Sequence, residues 1–295
     1  MTQFLQLLFQ GFSLGCIYAL VALGFTVIFR ASKVINFAQG SLLLVGAYLV
    51  SVFATGLNLP FALAVVLAIG LLAAGGVLFQ TAVLRRVLGQ PVFTLVMITI
   101  GLSIVIDAAV PAIFGNSTRI LGDPWGASAV HLGGVTLNWV RIWAIVCTVL
   151  VLLLFFIFDR FSRYGLAMRA TAVDEEAAMA VGVPVARVYA IAWAIAGGVA
   201  AIGGLFLAGF PSAPNPSLGD VALRAFPAII LGGLDSPLGA VVGGVVIGIV
   251  EVLTSGYSPA WLGTNFSDVA PYIVMILVLL IRPYGLFGAR PVERV

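Results

Sequence analysis

Apolar stretches of about the length needed to cross a bilayer, roughly 20 residues, follow one another along nearly the whole chain, with the polar residues gathered at the breaks. They read as 4–29, 34–54, 61–84, 92–114, 140–158, 188–210, 222–234, 238–255 and 269–281. Hydrophobic residues make up 62% of the chain and charged residues 8%, against roughly 45–50% and about 25% in an average soluble domain. So little charge cannot clothe a surface in water-facing side chains, so lipid is the solvent for most of it. The expected fold class is all-α: one polytopic transmembrane helical bundle over 1–295 with eight full spans. The run 222–234 is too short to cross comfortably alone, and Gly232, Gly233, Asp235, Ser236 and Pro237 follow it. A short broken or re-entrant helix is therefore expected near 222–237. No basic residue precedes the first run, which is longer than a signal-peptide core, so a retained span is expected and nothing cleaved.

Charge sets the expected sidedness, because short cytoplasmic loops carry the excess of Lys and Arg. Arg30, Lys33, Arg85, Arg86, Arg160, Arg163, Arg169, Arg187, Arg282, Arg290 and Arg294 fall on one side, and only Arg119, Arg141 and Arg224 on the other. This places the N-terminus outside and the C-terminus in the cytoplasm if the short run counts as a crossing. Net charge is only +3 and the basic residues are scattered, which argues against nucleic acid as a partner. Helices in lipid associate through close backbone approach, so small residues spaced by four mark seams. Gly11, Gly15 and Ala19 form one such stripe, Ala200, Gly204 and Ala208 a second, and Gly239, Gly243, Gly244 and Gly248 a third, each expected on one helix face. Cys16 and Cys147 lie within apolar runs and read as small buried hydrophobes, without a disulfide.

The main polar interruption is 159–187. Within it, Thr171 is suited to cap a helix, with Asp174 closing a capping box three residues later. Asp174, Glu175 and Glu176 fall in the first turn, where the helix dipole favours acids. Ala177, Ala178 and Ala180 extend the helix, Gly182 suits its left-handed end, and Pro184 stops it. The pattern predicts a helix of about ten residues that would be marginal alone in water. Small apolar residues beside three acids suit insertion into a cleft of a soluble partner; a solvated amphipathic loop helix is the plainer reading.

The run from Ala172 to Arg187, followed by the Gly-rich span 196–204, resembles the cytoplasmic loop of ABC importer permeases. Ile35-Asn36-Phe37-Ala38-Gln39-Gly40, the run Leu231-Gly-Gly-Leu-Asp-Ser-Pro-Leu-Gly-Ala240 and the closing Ile281-Arg-Pro-Tyr-Gly-Leu-Phe287 resemble the branched-chain amino acid permeases of LivH type, essentially from end to end. Gln39 stands where many relatives have His. The resemblance implies a partner permease of LivM type, two cytoplasmic ATPases and a periplasmic solute-binding protein in the bacterial inner membrane. It also implies coupling through Thr171, Asp174, Glu175, Glu176, Ala177, Ala178, Gly182 and Arg187. A P-loop ends in Lys, and the only lysine, Lys33, follows Phe-Arg-Ala-Ser. ATP and its Mg are thus expected on the partner ATPases, with no cofactor bound by this chain.

Polar groups within apolar runs are costly and usually face a bundle interior or a wet cavity. Asn36, Gln39, Gly40 and Ser41 open the second run, and Gly232 and Gly233 mark the break. Glu251 lies on the next span; these residues are candidates for the passage, with backbone capping and structural packing as the alternatives. Asp107 is expected to pair with another helix, with contact to a solute amino group as the alternative. Ser217 and Asp220 form a second possible capping box with Arg224 four residues beyond Asp220, and Ser236 with Pro237 starts the following helix. The outward loop holds Arg119, Asp123, Trp125 and the only histidine, His131, which offers neither a metal site nor a triad. No clustered nucleophile or paired carboxylate supports catalysis, so no catalytic residue is expected. Ion-coupled secondary transport through Asp107 or Glu251 and a membrane enzyme are the other function classes, and urea, short amides or small aromatic acids are the other solutes.

Overall fold

The computed structural model describes residues 2–87, 90–132, 135–209, 212–219, 224–259 and 266–288. The order is α1 (Thr2–Ser32), α2 (Gln39–Ser51, prolonged by a π turn Val52–Gly56), α3 (Phe61–Ala82) and α4 (Val92–Phe114). A hairpin of β1 (Ala129–Leu132) and β2 (Val135–Asn138) leads into α5 (Trp139–Phe161), α6 (Arg163–Val173), α7 (Glu175–Ala180) and α8 (Val185–Leu207). Then come α9 (Phe226–Gly232), α10 (Pro237–Tyr257) and α11 (Phe266–Ile281). Among the described residues, seven helical segments are long and apolar enough to cross a membrane, and α11, at 16 residues, is shorter. Seven of the eight expected spans are thus of spanning length and the eighth is a shorter apolar helix, and the all-α bundle holds apart from the small hairpin.

α1 is the central post. Every residue from Gly15 to Ile28 along it is buried, as expected of a helix that is apolar all round. Glycines set its neighbours. A Cβ on Gly15 would lie 2.6 Å from the Cα of Val245, and one on Gly248 2.2 Å from the backbone N of Gly15, so α1 and α10 meet backbone to backbone. α8 meets α2 and α3 the same way, through Gly204 against the Leu43 carbonyl and Gly197 against the Leu72 carbonyl. The third small-residue stripe needs correcting: it occupies two faces. Gly239 and Gly243 press on Gly232 and Ala228 of α9, while Gly244 and Gly248 press on α1. A step of five residues turns a helix by about 500° at 3.6 residues per turn, so Gly239 and Gly244 point in different directions.

Ion pairs fix one end of the bundle and hydrogen bonds the other. Arg30 and Asp159 join the ends of α1 and α5 (3.2 Å), and Lys33 and Asp235 meet at 3.1 Å. At the opposite end the amide of Arg119 donates to the Pro214 carbonyl (3.0 Å), and Ser51 Oγ donates to the Ile120 carbonyl (2.7 Å). Pro214 and Asp235 thus lie at opposite ends. α9 lies between them on the Asp235 side.

Candidate functional site

The polar elbow at the Lys33 end is built on Asp159. Its carboxylate pairs with Arg30 of α1 and with Arg169 of α6 (3.4 Å), and its carbonyl accepts a further hydrogen bond from the Arg169 guanidinium. Ser162 caps α6 by accepting from the Gly165 amide (2.8 Å). A Cβ on Gly165 would lie 2.4 Å from the Asp159 carbonyl oxygen, so the turn from α5 into α6 closes only with glycine there.

The single ten-residue helix expected from Thr171 is instead two helices. Thr171 is buried inside α6 and its hydroxyl donates to the Ala167 carbonyl (2.9 Å), so it caps nothing. The cap is Asp174, extended at φ −155°, whose Oδ1 accepts from the Ala177 amide (3.0 Å). An aspartate that bonds a backbone N–H three residues on competes with helix continuation, and this breaks α6 from α7. Glu175 and Glu176 then occupy the first turn of a six-residue helix. Gly182, at φ +86°, ends it as expected, with the Val183 amide donating to the Ala178 carbonyl (3.0 Å).

Ala178 is buried and anchors α7 to the bundle. The Tyr189 hydroxyl of α8 donates to the Glu175 carboxylate. Glu176 and Ala177 are exposed, as are Val173, Met179 and Val181. An open groove of about 920 Å³ runs between α7 and Arg85, bordered by Glu176, Met179 and Arg187. The elbow therefore combines an anchored inner side with a partly apolar outer side and a groove of mixed charge.

The passage candidates fall into three groups. Asn36 and Gln39 are fully enclosed: Asn36 Nδ2 donates to Gln39 Oε1 (3.3 Å), Asn36 Oδ1 accepts from the Ala38 amide (3.1 Å), and Gln39 Nε2 donates to the Ala196 carbonyl (3.2 Å). Gln39 fills the space that Gly24 leaves. These two side chains start α2 and tie it to α8. Ser41, by contrast, turns toward α4 and donates to Ser103 Oγ (3.0 Å).

Gly232 and Gly233 form a buried tight turn. Gly232 packs on Gly239, Gly233 takes φ +102°, and the amides of Leu286 and Phe287 donate to the carbonyls of Leu231 and Gly232 (2.8 and 3.0 Å). The closing motif is thus a strap over the break. Glu251 is buried, accepts from the Tyr18 hydroxyl (2.8 Å), and faces Arg224 at 3.7 Å. Arg224 also pairs with Asp268 of α11 (2.9 Å), so one cation ties the chain just before α9 to α10 and α11. Asp220 lies outside the described residues. Ser217 bonds Asn215 through both its amide and its hydroxyl. Ser236 caps α10 as expected, accepting from the Gly239 amide (3.0 Å).

Asp107 departs from the expected interhelical pair. Its Oδ2 accepts from Ser103 of the same helix (3.2 Å), and the residue is exposed. His131 lies on β1, 3.1 Å from Thr136 Oγ1, and no cluster of metal-binding side chains occurs among the described residues. The hubs at Asp159 and Arg224 escaped the sequence reading because each needs a partner far along the chain, Arg30 for Asp159 and Glu251 with Asp268 for Arg224.

Residues 7–279 match the family described as branched-chain amino acid transport system / permease component. The chain belongs to that family. The permease is 34% identical to the high-affinity branched-chain amino acid transport system permease protein LivH of Escherichia coli (strain K12), over 99% of this chain and 98% of that one. It is 28% identical to BraD of Pseudomonas aeruginosa, a permease protein of the same description, over 99% and 98%. Among solved structures, PsaBC from Streptococcus pneumoniae in complex with Fab aligns at TM-score 0.50 and 14% identity, covering 96% of the permease and 93% of that chain. That likeness is one of fold. With its apolar spans, the family makes the permease a multi-pass membrane protein.

Proposed function

We propose that this permease is the transmembrane subunit of a binding-protein-dependent ABC importer in the bacterial inner membrane, moving branched-chain amino acids or related small polar solutes inward. ATP is hydrolysed on separate cytoplasmic subunits. Its partners are a second permease of LivM type, two ATPases and a periplasmic solute-binding protein. The N-terminus lies outside, and the elbow shares the cytoplasmic side with most of the arginines.

The observation that carries this reading is the capped α6–α7 elbow in a chain of this family. α7 presents Glu176, Ala177 and Met179 outward while Ala178 and the Glu175–Tyr189 contact hold its inner side. Only residues 181–184 separate it from α8. α8 is locked to α2 and α3 by glycine contacts that leave no room to slide independently. Packed elements of this kind move between discrete arrangements rather than deform continuously. A push on α7 is therefore delivered to α8, and through it to the start of α2, where Gln39 is bonded to the α8 backbone. Arg169 and Asp159 keep α6 fixed against α5 and α1, so α7 is the lever and α6 its mount.

Uptake into proteoliposomes holding the full assembly tests this. ATP-dependent uptake of leucine that persists after proton and sodium gradients are collapsed is the expected result. Uptake that follows those gradients and ignores ATP would instead establish a secondary transporter.

A further inference from the structure

α4 carries an ionisable side chain where a bilayer tolerates one least. Asp107 stands among Ile104, Val105, Ile106 and Ala108, on a helix whose apolar window is only 6% buried in the chain. A carboxylate within a spanning segment faces a bundle interior or a water-filled cavity and not lipid tails, so this side of α4 borders something polar.

Its surroundings say what. Oδ2 is oriented by Ser103, whose hydroxyl is in turn met by Ser41 in the first turn of α2. Oδ1 has no hydrogen bond among the described residues, and no Arg or Lys pairs with Asp107 among them. That oxygen lies 3.5 Å from the point a Cβ on Gly219 would occupy, and the Gly40 carbonyl oxygen lies 3.8 Å from the same point. Gly40 belongs to the start of α2, six residues after the break at Val34, and Gly219 to the stretch that precedes α9. Gly219 thus stands beside both the Asp107 carboxylate and the start of α2, which follows a break in the helix, and helix breaks of this kind hold charged solute groups near the middle of a membrane.

We propose that Asp107 is the specificity-determining residue of the passage, receiving the α-ammonium group of a zwitterionic amino acid, with Ser103 and Ser41 orienting the carboxylate and Gly219 leaving room for the solute. This rests on the importer reading above. Solutes without a cationic nitrogen lose the contact and cross slowly.

The test uses the complete assembly in proteoliposomes. Asp107→Asn is expected to lower leucine uptake about tenfold, the cost of losing one charge-assisted hydrogen bond, while partner subunits still co-purify and ATP is still hydrolysed. Asp107→Glu keeps most of the uptake. In the same assembly Asp107→Cys reacts with a membrane-impermeant trimethylammonium thiosulfonate, and leucine slows that reaction during turnover. Undiminished uptake by Asp107→Asn, or a cysteine that leucine does not protect, overturns the proposal. So does loss of the second permease from Asp107→Asn, which would make the carboxylate an intersubunit ion-pair partner. If the wild-type assembly shows no ATP-dependent uptake, the importer reading fails, and protection of the cysteine by leucine still decides whether Asp107 borders the passage.

Discussion

α1 and α4 are equally apolar, each with a mean hydropathy of 2.2 over its best window, yet 83% of that window is buried in α1 and 6% in α4. Hydropathy alone says that a segment leaves water. In this pair, burial goes with glycines set directly against a neighbouring helix. α1 meets its neighbours at Gly11, Gly15 and Gly24, each with backbone or a buried side chain within 2.8 Å of where a Cβ would sit. The one glycine of α4, Gly101, has nothing within 4 Å. α1 is the fixed post; α4 carries a working face.

The largest expected effect breaks that contrast at the post. Gly15→Leu or Gly248→Leu forces backbones apart where overpacking costs about 3 kcal/mol or more, and is expected to abolish a folded, monodisperse protein in detergent size-exclusion. Next comes the Arg224 clamp. Arg224→Ala removes the cation shared by Glu251 and Asp268, and because Arg224 is about two-fifths exposed the loss is expected near 1–2 kcal/mol, below the 3–5 kcal/mol of a fully buried pair. Thermal unfolding in detergent measures it, and Arg224→Lys recovers part of the loss. Smaller again, Asp174→Ala costs about 1 kcal/mol through the lost cap of α7, and is expected to lower solute moved per ATP without changing membrane insertion. The smallest is Gly101→Ala on α4, within about 0.5 kcal/mol of wild type; a large destabilisation there would mean that α4 is packed in the isolated chain after all.

Much of this was legible in the sequence. The run 92–114 coincides with α4, the small-residue stripes do mark seams, and Gly182 and Ser236 end and begin helices where read. Thr171 was misread because a capping box and an intrahelical hydroxyl bond share the same local pattern; only the start of α6 at Ser162 separates them. The hairpin of Ala129–Leu132 with Val135–Asn138 went unread, although Val-His-Leu-Gly-Gly-Val-Thr-Leu carries two alternating stretches around a Gly pair. The burial of Gln39, the Asp159 hub and the Arg224 clamp depend on which helices lie side by side, and no local periodicity carries that information.

The claim that α7 passes the force of ATP hydrolysis to the bundle is tested most directly by Glu175→Lys/Glu176→Lys. In reconstituted assemblies, solute moved per ATP hydrolysed is the quantity to measure. It is expected to collapse in the double variant while insertion into the membrane is unchanged. Wild-type stoichiometry together with unchanged ATPase binding would contradict the account.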